Sequence, residues 1–97
     1  MDEREARAAL IKQNRRSLID ALKLVYPLAL TFYSLRQVLA GVEEHYLKGD
    51  ITYLVEKGYV AWVNRKPNMN WPSREYKLTA VGVEIADAIN TDPALEP

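Results

Sequence analysis

The hydrophobic pattern of this chain changes period at Gly58, and that change limits its fold more than any other feature. Before Gly58, apolar residues recur every three or four positions, as in residues 47–55, which is typical of an amphipathic helix. After it, segments such as residues 74–78 alternate between polar and apolar side chains, which is typical of a strand. A chain of 97 residues is long enough for one shared core and too short for two. The pattern therefore predicts a single domain of the α+β class, mainly helical, with a hairpin after the helices.

The first helix is expected over residues 2–25, a stretch without proline or glycine in which Ile11 and Leu18 belong to a helical apolar pattern. Pro27 ends it, because the residue before a proline avoids helical backbone. Residues 28–31 are then expected to be extended. The apolar residues of this helix exceed what one core contact requires, so it is the candidate element for a homodimer.

Two shorter helices are expected next. Ser34 can cap the second helix with Gln37 completing a capping box, and Val38 belongs to its buried stripe. Gly41 is expected to end this helix in a left-handed conformation. The third helix is expected over about residues 43–57, and Gly58 ends it.

A hairpin and a last helix follow. Residues 59–64 and 74–78 read as the two strands, and the intervening loop has prolines near both ends, which predicts a long protruding connection. Thr79 can cap a final helix that ends near Asn90. Its inward residues are expected to be Val81, Ile85, Ala88 and Ile89. The expected core covers residues 10–90, and residues 91–97 are expected to form a loose tail.

Composition narrows the function classes. With no cysteine, the chain forms no disulfide or thiolate zinc site, and a reducing cytoplasmic location is the expectation. No apolar run approaches the ~20 residues of a membrane span. A glycine-rich phosphate loop and a Ser/His/Asp set are both lacking, and His45 is the only histidine. We therefore expect no enzyme, no cofactor and no metal site.

Three separated motifs carry a resemblance to a known family. Residues 34–41 (SLRQVLAG) resemble the second helix of a helix-turn-helix, and residues 50–60 (DITYLVEKGYV) resemble its third helix running into a strand. Residues 76–82 (YKLTAVG) resemble the Y-x-L-T-x-x-G pattern where a second wing strand enters the last helix. Together these motifs are similar to the winged helix-turn-helix domains of small ArsR-, MarR- and PadR-like regulators, and of phage and prophage proteins, over about residues 15–89.

This resemblance implies that the third helix enters the major groove of DNA and that the hairpin, or wing, contacts the backbone. Helical geometry directs several polar side chains of the third helix outward or to its margin. The expected DNA contacts there are His45, Tyr46, Lys48, Thr52 and Tyr53. The second helix is expected to add backbone contacts through Arg36 and Gln37. Gly49, inside the third helix, is compatible with close approach of a DNA backbone or of another helix.

The wing is the most basic region, because residues 59–78 carry four basic groups and one acidic group while the whole chain is neutral. Its expected DNA contacts are Arg65, Lys66, Asn68, Asn70, Trp71, Arg74 and Lys77. The alternative is a charged hairpin whose Trp71 folds back onto the core.

The leading expectation is a DNA-binding transcriptional regulator that binds double-stranded DNA as a homodimer through its N-terminal helix, since one helix and wing read few base pairs. The alternative is a winged-helix protein-interaction module without DNA binding. Neutral net charge, the acidic third helix and the outward tyrosines Tyr46 and Tyr53 favour that alternative.

Overall fold

The computed structural model describes residues 2–96 of the chain. In that part the elements are α1 (Glu3–Val25), β1 (Leu30–Thr31), α2 (Phe32–Val38), α3 (Glu44–Glu56), β2 (Val60–Trp62), β3 (Glu75–Leu78) and α4 (Ala80–Ala86), with 3₁₀ turns at Trp71–Ser73 and Pro93–Leu95. This is an α+β fold, mainly helical, as the sequence predicts. None of the described helices is long and apolar enough to cross a membrane.

The three strands form one antiparallel sheet in the order β1, β3, β2. Leu30 pairs with Tyr76 on one side of β3, and Val60 pairs with Leu78 on the other. Tyr76 and Leu78 are both buried, because residues two apart in a strand face the same side of the sheet. The shared face predicted for these two residues is confirmed.

The core lies where α1 and α3 cross in front of the sheet. Leu18 and Leu22 of α1, together with Ile51 of α3, are fully buried. All the buried residues of α1 lie between Leu18 and Leu22, so its first half lies outside the core. Gly58 ends the α3 turn with φ 82°, a left-handed backbone that favours glycine, as predicted.

Helix α2 differs from the prediction at both ends. Thr31, not Ser34, is the N-cap: its Oγ1 accepts a hydrogen bond from the Ser34 backbone N–H at 3.0 Å. The helix therefore starts earlier and buries Phe32. Val38, about 240° around the helix from Phe32, is 60% exposed rather than buried. Gly41 follows the helix without the left-handed backbone expected of it.

Helix α4 has the predicted start and an earlier end. Thr79 caps it, accepting from the Gly82 N–H at 3.1 Å, but the helix stops at Ala86. Ala88 then adopts a left-handed backbone with φ 59°, which turns the chain before the next helical position. Of the four residues expected to face inward, Ile85 is buried, whereas Val81, Ala88 and Ile89 are exposed.

The end of the chain is docked, which corrects the expectation of a loose tail. Leu95 is 1% exposed and belongs to the core. The Tyr59 hydroxyl donates to the Asp92 carboxylate at 2.6 Å, and Lys57 pairs with the same carboxylate at 3.3 Å. These contacts come from residues more than thirty positions away, so no local pattern signals them. Residue 97 lies outside the described part.

Candidate nucleic-acid interface

The outward face of α3 is a narrow polar stripe opposite the core. His45, Gly49, Thr52 and Glu56 are exposed and fall within about 60° of one another around the helix. The Thr52 hydroxyl donates to the Lys48 carbonyl at 2.8 Å, and the side chain is exposed. A Cβ added at Gly49 would meet no atom within 4 Å. This face therefore offers short polar groups with no bulk at its centre.

Of the two tyrosines of α3 that were expected to face outward, Tyr46 is exposed and packs its ring against His45 at a centroid distance of 4.0 Å, whereas Tyr53 turns inward. Tyr53 is half-buried against the core, and the Arg15 guanidinium lies 3.7 Å from its ring centroid. Tyr46 is 51% exposed, but it faces the first half of α1, where it lines a groove with Leu10 and Asn14. Both tyrosines are on the α1 side because that helix crosses α3 there.

Arg15 and Arg16 of α1 are engaged within the fold. Arg15 Nε lies 3.4 Å from the carboxylate of buried Asp50. Burial raises the pKa of Asp50, and the Arg15 charge partly opposes that rise. Arg16 donates to the carbonyls of Ile85 and Ala86 at 3.0 and 2.8 Å. These arginines join α1 to the rest of the fold and leave other cations to face a partner.

The hairpin loop folds back at Trp71 rather than projecting along its whole length. The Trp71 ring meets Phe32 edge to face at a centroid distance of 5.1 Å and is half-buried. Asn64 closes the base of the loop by accepting from the Glu75 N–H and donating to the Ser73 carbonyl, at 2.8 and 3.0 Å. The alternative reading of Trp71 is thus the observed one, and the projecting part is limited to about residues 65–70.

Cations and aromatic rings alternate between α3 and the hairpin. The Arg74 guanidinium lies 3.8 Å from the Trp71 ring centroid and 4.2 Å from that of Trp62. Arg65 extends this arrangement over Trp62, and Lys48 extends it over Trp71, both at 5.4 Å. We refer to Lys48, Trp71, Arg74, Trp62 and Arg65 as the cation–aromatic row. Contacts of this kind hold the guanidinium groups in place while leaving their charge unneutralised.

A cavity of about 240 Å³ lies beside this row, between α3 and the sheet. We call it the α3–sheet cleft, and its lining residues are Thr52, Val55, Glu56, Trp62, Arg65, Arg74 and Tyr76. Burial raises the pKa of Tyr76, and the neighbouring Arg74 partly offsets the rise, so this phenol stays neutral near pH 7. The cleft combines aromatic walls with hydrogen-bonding groups of both charges.

Some of the remaining site residues form ion pairs with acidic side chains, and the others do not. Arg36 and Lys48 share Glu44, at 3.8 and 3.4 Å, and His45 lies 3.5 Å from Glu43. Gln37, Lys66, Asn68 and Asn70 are exposed, and Asn68 has a left-handed backbone with φ 59°. Within residues 2–96, no ion pair involves Arg65, Lys66, Arg74 or Lys77.

Two members of this surface were not among the expected contacts. Trp62 was counted only as a strand residue, although an aromatic residue three positions before Arg65 was a usable signal. The second is Glu56, an exposed residue of α3 that lines the cleft. No group of three or more His, Asp or Glu side chains in the described chain is placed to hold a metal ion.

The comparisons with known proteins add no relative to this picture. Neither the models of protein families, nor the curated proteins, nor the solved structures include a match to this chain.

Proposed function

We propose that this chain is a winged-helix transcriptional regulator that binds double-stranded DNA, with α3 in the major groove and residues 65–70 on the backbone. The observation that carries the proposal is that Arg65, Lys66, Arg74 and Lys77 have no ion-pair partner in residues 2–96. Two of these cations, Arg65 and Arg74, line a cleft together with Thr52 and Glu56 of α3. Unneutralised cations contribute most of the affinity of a protein for the phosphates of DNA.

The order of the elements supports the fold part of this proposal. A helix, a short strand, two helices, a hairpin and a last helix follow one another as in a winged helix-turn-helix. The short β1 pairs with β3, so the hairpin becomes a three-stranded sheet behind α3. In this arrangement Thr52 and Glu56 of the stripe line the same cleft as Arg65, at the start of the hairpin loop.

The stripe itself suits a close partner. Glycine inside a helix costs about 1 kcal/mol relative to alanine, and no neighbouring atom of residues 2–96 lies within 4 Å of the site of a Cβ at Gly49. Internal packing therefore does not account for this glycine, whereas close approach of a DNA backbone does. His45 and Thr52 flank it and can exchange hydrogen bonds with base edges.

We also propose a homodimer through α1, since a single recognition helix reads few base pairs. The first half of α1 is not covered by the rest of the fold. Leu10 is 56% exposed there and lies beside the half-exposed Tyr46. An apolar surface of this kind is the part of α1 that a second copy would cover.

Fluorescence anisotropy of a labelled random duplex, at low and moderate salt, tests DNA binding. We expect binding that weakens with salt. In the double variant Arg65→Ala/Lys66→Ala, the plot of log affinity against log salt concentration should become less steep by about 1.8, because each lost phosphate contact accounts for about 0.9. The matched control is Arg4→Ala/Lys12→Ala, which removes the same charge from α1 and should leave the slope unchanged.

No binding by the unaltered chain at about 50 mM salt would contradict the proposal, because electrostatic attraction to phosphate is strong under that condition. The interaction-module alternative would then take its place. An equal loss of slope in the control variant would likewise show that total charge, and not the hairpin, attracts the duplex.

A further inference from the structure

We propose that the α3–sheet cleft binds a single nucleotide, with its base against Trp62 and its phosphate at Arg65 and Arg74. The expected ligand contains a flat heteroaromatic ring with N–H donors and carries an anionic substituent. Such a group can be a free nucleotide or an unpaired nucleotide of a strand. The inference goes beyond duplex binding, because Trp62, Arg65 and Arg74 line a cavity that lies next to the outward stripe of α3 and shares Thr52 and Glu56 with it.

The size of the cleft favours a small ligand. Its volume of about 240 Å³ is below the range of about 300–1,000 Å³ that is usual for sites of drug-sized ligands. A single base with part of its sugar phosphate fits this volume better than a larger cofactor. Thr52, Glu56 and Arg65 at its border are exposed, so a ligand reaches it from solvent.

The cations of the cleft favour an anionic substituent. Arg65 is exposed and has no ion-pair partner among the described residues. Arg74 also lines the cleft without an ion-pair partner within residues 2–96; its guanidinium lies beside the Tyr76 phenol, and its Nη2 reaches the Met69 carbonyl at 3.4 Å. Guanidinium groups bind phosphate through charge-assisted hydrogen bonds, so a phosphate oxygen at the border of the cleft would pair with these cations.

The other lining groups favour a base over a simple anion. Trp62 provides an aromatic wall, and stacking on such a wall is a recurrent way to bind nucleobases. Glu56 is exposed, lies in the same cleft and takes part in no ion pair of the described chain. Its carboxylate can accept hydrogen bonds from base N–H groups, whereas it would repel a bare phosphate.

The tryptophans of the chain can serve as intrinsic probes of ligand binding to the α3–sheet cleft. Trp62 and Trp71 are its only two tryptophans, and both belong to the cation–aromatic row. Tryptophan fluorescence and the indole N–H signal of Trp62 in NMR spectra therefore report on the cleft without a label, and the Trp71 signal reports on Arg74 beside it. We expect adenosine, guanosine, cytidine or uridine 5′-monophosphate to give saturable changes with a Kd of about 1 mM or lower. Ribose 5-phosphate and inorganic phosphate should bind at least about tenfold more weakly.

Variants separate the cleft from the surrounding surface. Arg65→Ala should weaken nucleotide binding about tenfold, as loss of a charge-assisted phosphate contact does. Lys66→Ala is the matched control, because it removes the same charge next to Arg65 but outside the cleft. Glu56→Gln, an exposed substitution that leaves the fold intact, should change the order of affinity among the four nucleotides.

Several results would overturn the inference. They are unchanged indole signals with all four nucleotides, equal binding of ribose 5-phosphate, or equal effects of Arg65→Ala and Lys66→Ala. A single-stranded oligonucleotide that binds more than about tenfold tighter than the free nucleotide identifies a strand as the source, and similar affinity identifies the free nucleotide. Each of these two results supports the site. A duplex that fails to bind, while nucleotides shift the indole signals, would remove the DNA proposal alone.

Discussion

Gly82 and Gly49 both lie inside helices, where glycine costs about 1 kcal/mol relative to alanine, but their surroundings differ. A Cβ at Gly82 would collide with the backbone carbonyl of Tyr59 and with the side chain of Leu78. That carbonyl also accepts the Thr79 N–H at 3.0 Å, so it has no freedom to move aside. The glycine of the YKLTAVG motif is thus required where α4 packs against the start of β2.

We predict that Gly82→Ala lowers the free energy of unfolding by about 1–3 kcal/mol, since overpacking of a close contact costs that much. Urea denaturation followed by circular dichroism measures it. A variant as stable as the original chain would show that α4 and the Tyr59 backbone are not in contact.

Gly49 should respond in the opposite way. Nothing surrounds its Cβ position, so Gly49→Ala should raise the free energy of unfolding by up to about 1 kcal/mol. The same methyl group would lie where the proposed duplex approaches α3, and DNA affinity should fall. Denaturation and anisotropy on the same sample give both values. A stabilised variant with unchanged affinity would show that DNA does not approach this turn of the helix.

At the scale of elements, the sequence predicts best what local chemistry decides. The end of α3 at Gly58, the shared face of Tyr76 and Leu78 and the Thr79 cap are all confirmed, because each depends on neighbours within a few positions. The outward positions of His45 and Thr52 likewise follow from the periodicity of residues around an α-helix.

Contacts between residues far apart in the sequence account for the remaining differences between the predicted and the observed structure. Trp71 turns inward because Phe32, thirty-nine positions earlier, offers an aromatic surface. Tyr53 turns toward α1 because Arg15 covers its ring. Leu95 is buried through the docking of the chain end, although the nearby residues Asp92, Pro93 and Glu96 give no apolar periodicity. No periodicity within one segment contains this information.

The docked chain end gives a prediction at high pH. The hydrogen bond to Asp92 and partial burial raise the pKa of Tyr59 to about 12 from its ordinary 10. A raised folded-state pKa means that the stabilisation is present below pH 10 and is lost as pH rises from 10 to 12. We predict that Tyr59→Phe reduces this loss of stability relative to the unaltered chain. Urea denaturation at pH 9 and at about pH 11 measures the difference.

Tyr26→Phe is the control, because Tyr26 is exposed and has no hydrogen bond from its hydroxyl in the described chain. Equal alkaline destabilisation in both variants and in the original chain would show that the Tyr59 to Asp92 contact does not link the chain end to the core.

For the whole molecule, the distribution of charge matters more than its sum. Thirteen basic and thirteen acidic residues cancel, so attraction to a polyanion must be local. Residues 79–97 carry four acidic groups and no basic one, yet Asp87 pairs with Lys23 and Asp92 with Lys57. The acidic end therefore neutralises cations of α1 and of the α3 turn, and the cations of the hairpin remain unpaired within residues 2–96.

The proposed homodimer can be tested with substitutions of exposed residues in α1. Leu10 and Leu24 are both exposed on this helix, at 56% and 86%, but only Leu10 lies in the groove with Tyr46. Light scattering after size-exclusion chromatography should give twice the 11.1 kDa monomer mass for the original chain and for Leu24→Glu. Leu10→Glu should be monomeric, because a charge would be buried at the interface without a partner.

The same variant should separate dimerisation from DNA contact. A dimer binds two half-sites about 10–10.5 base pairs apart, so Leu10→Glu should lose the preference for a paired site over a single half-site. Its affinity for one half-site should persist, since the hairpin cations are unchanged. A monomeric original chain at micromolar concentration, or dissociation by Leu24→Glu as well, would contradict an interface at the Leu10 groove and leave the two surfaces independent.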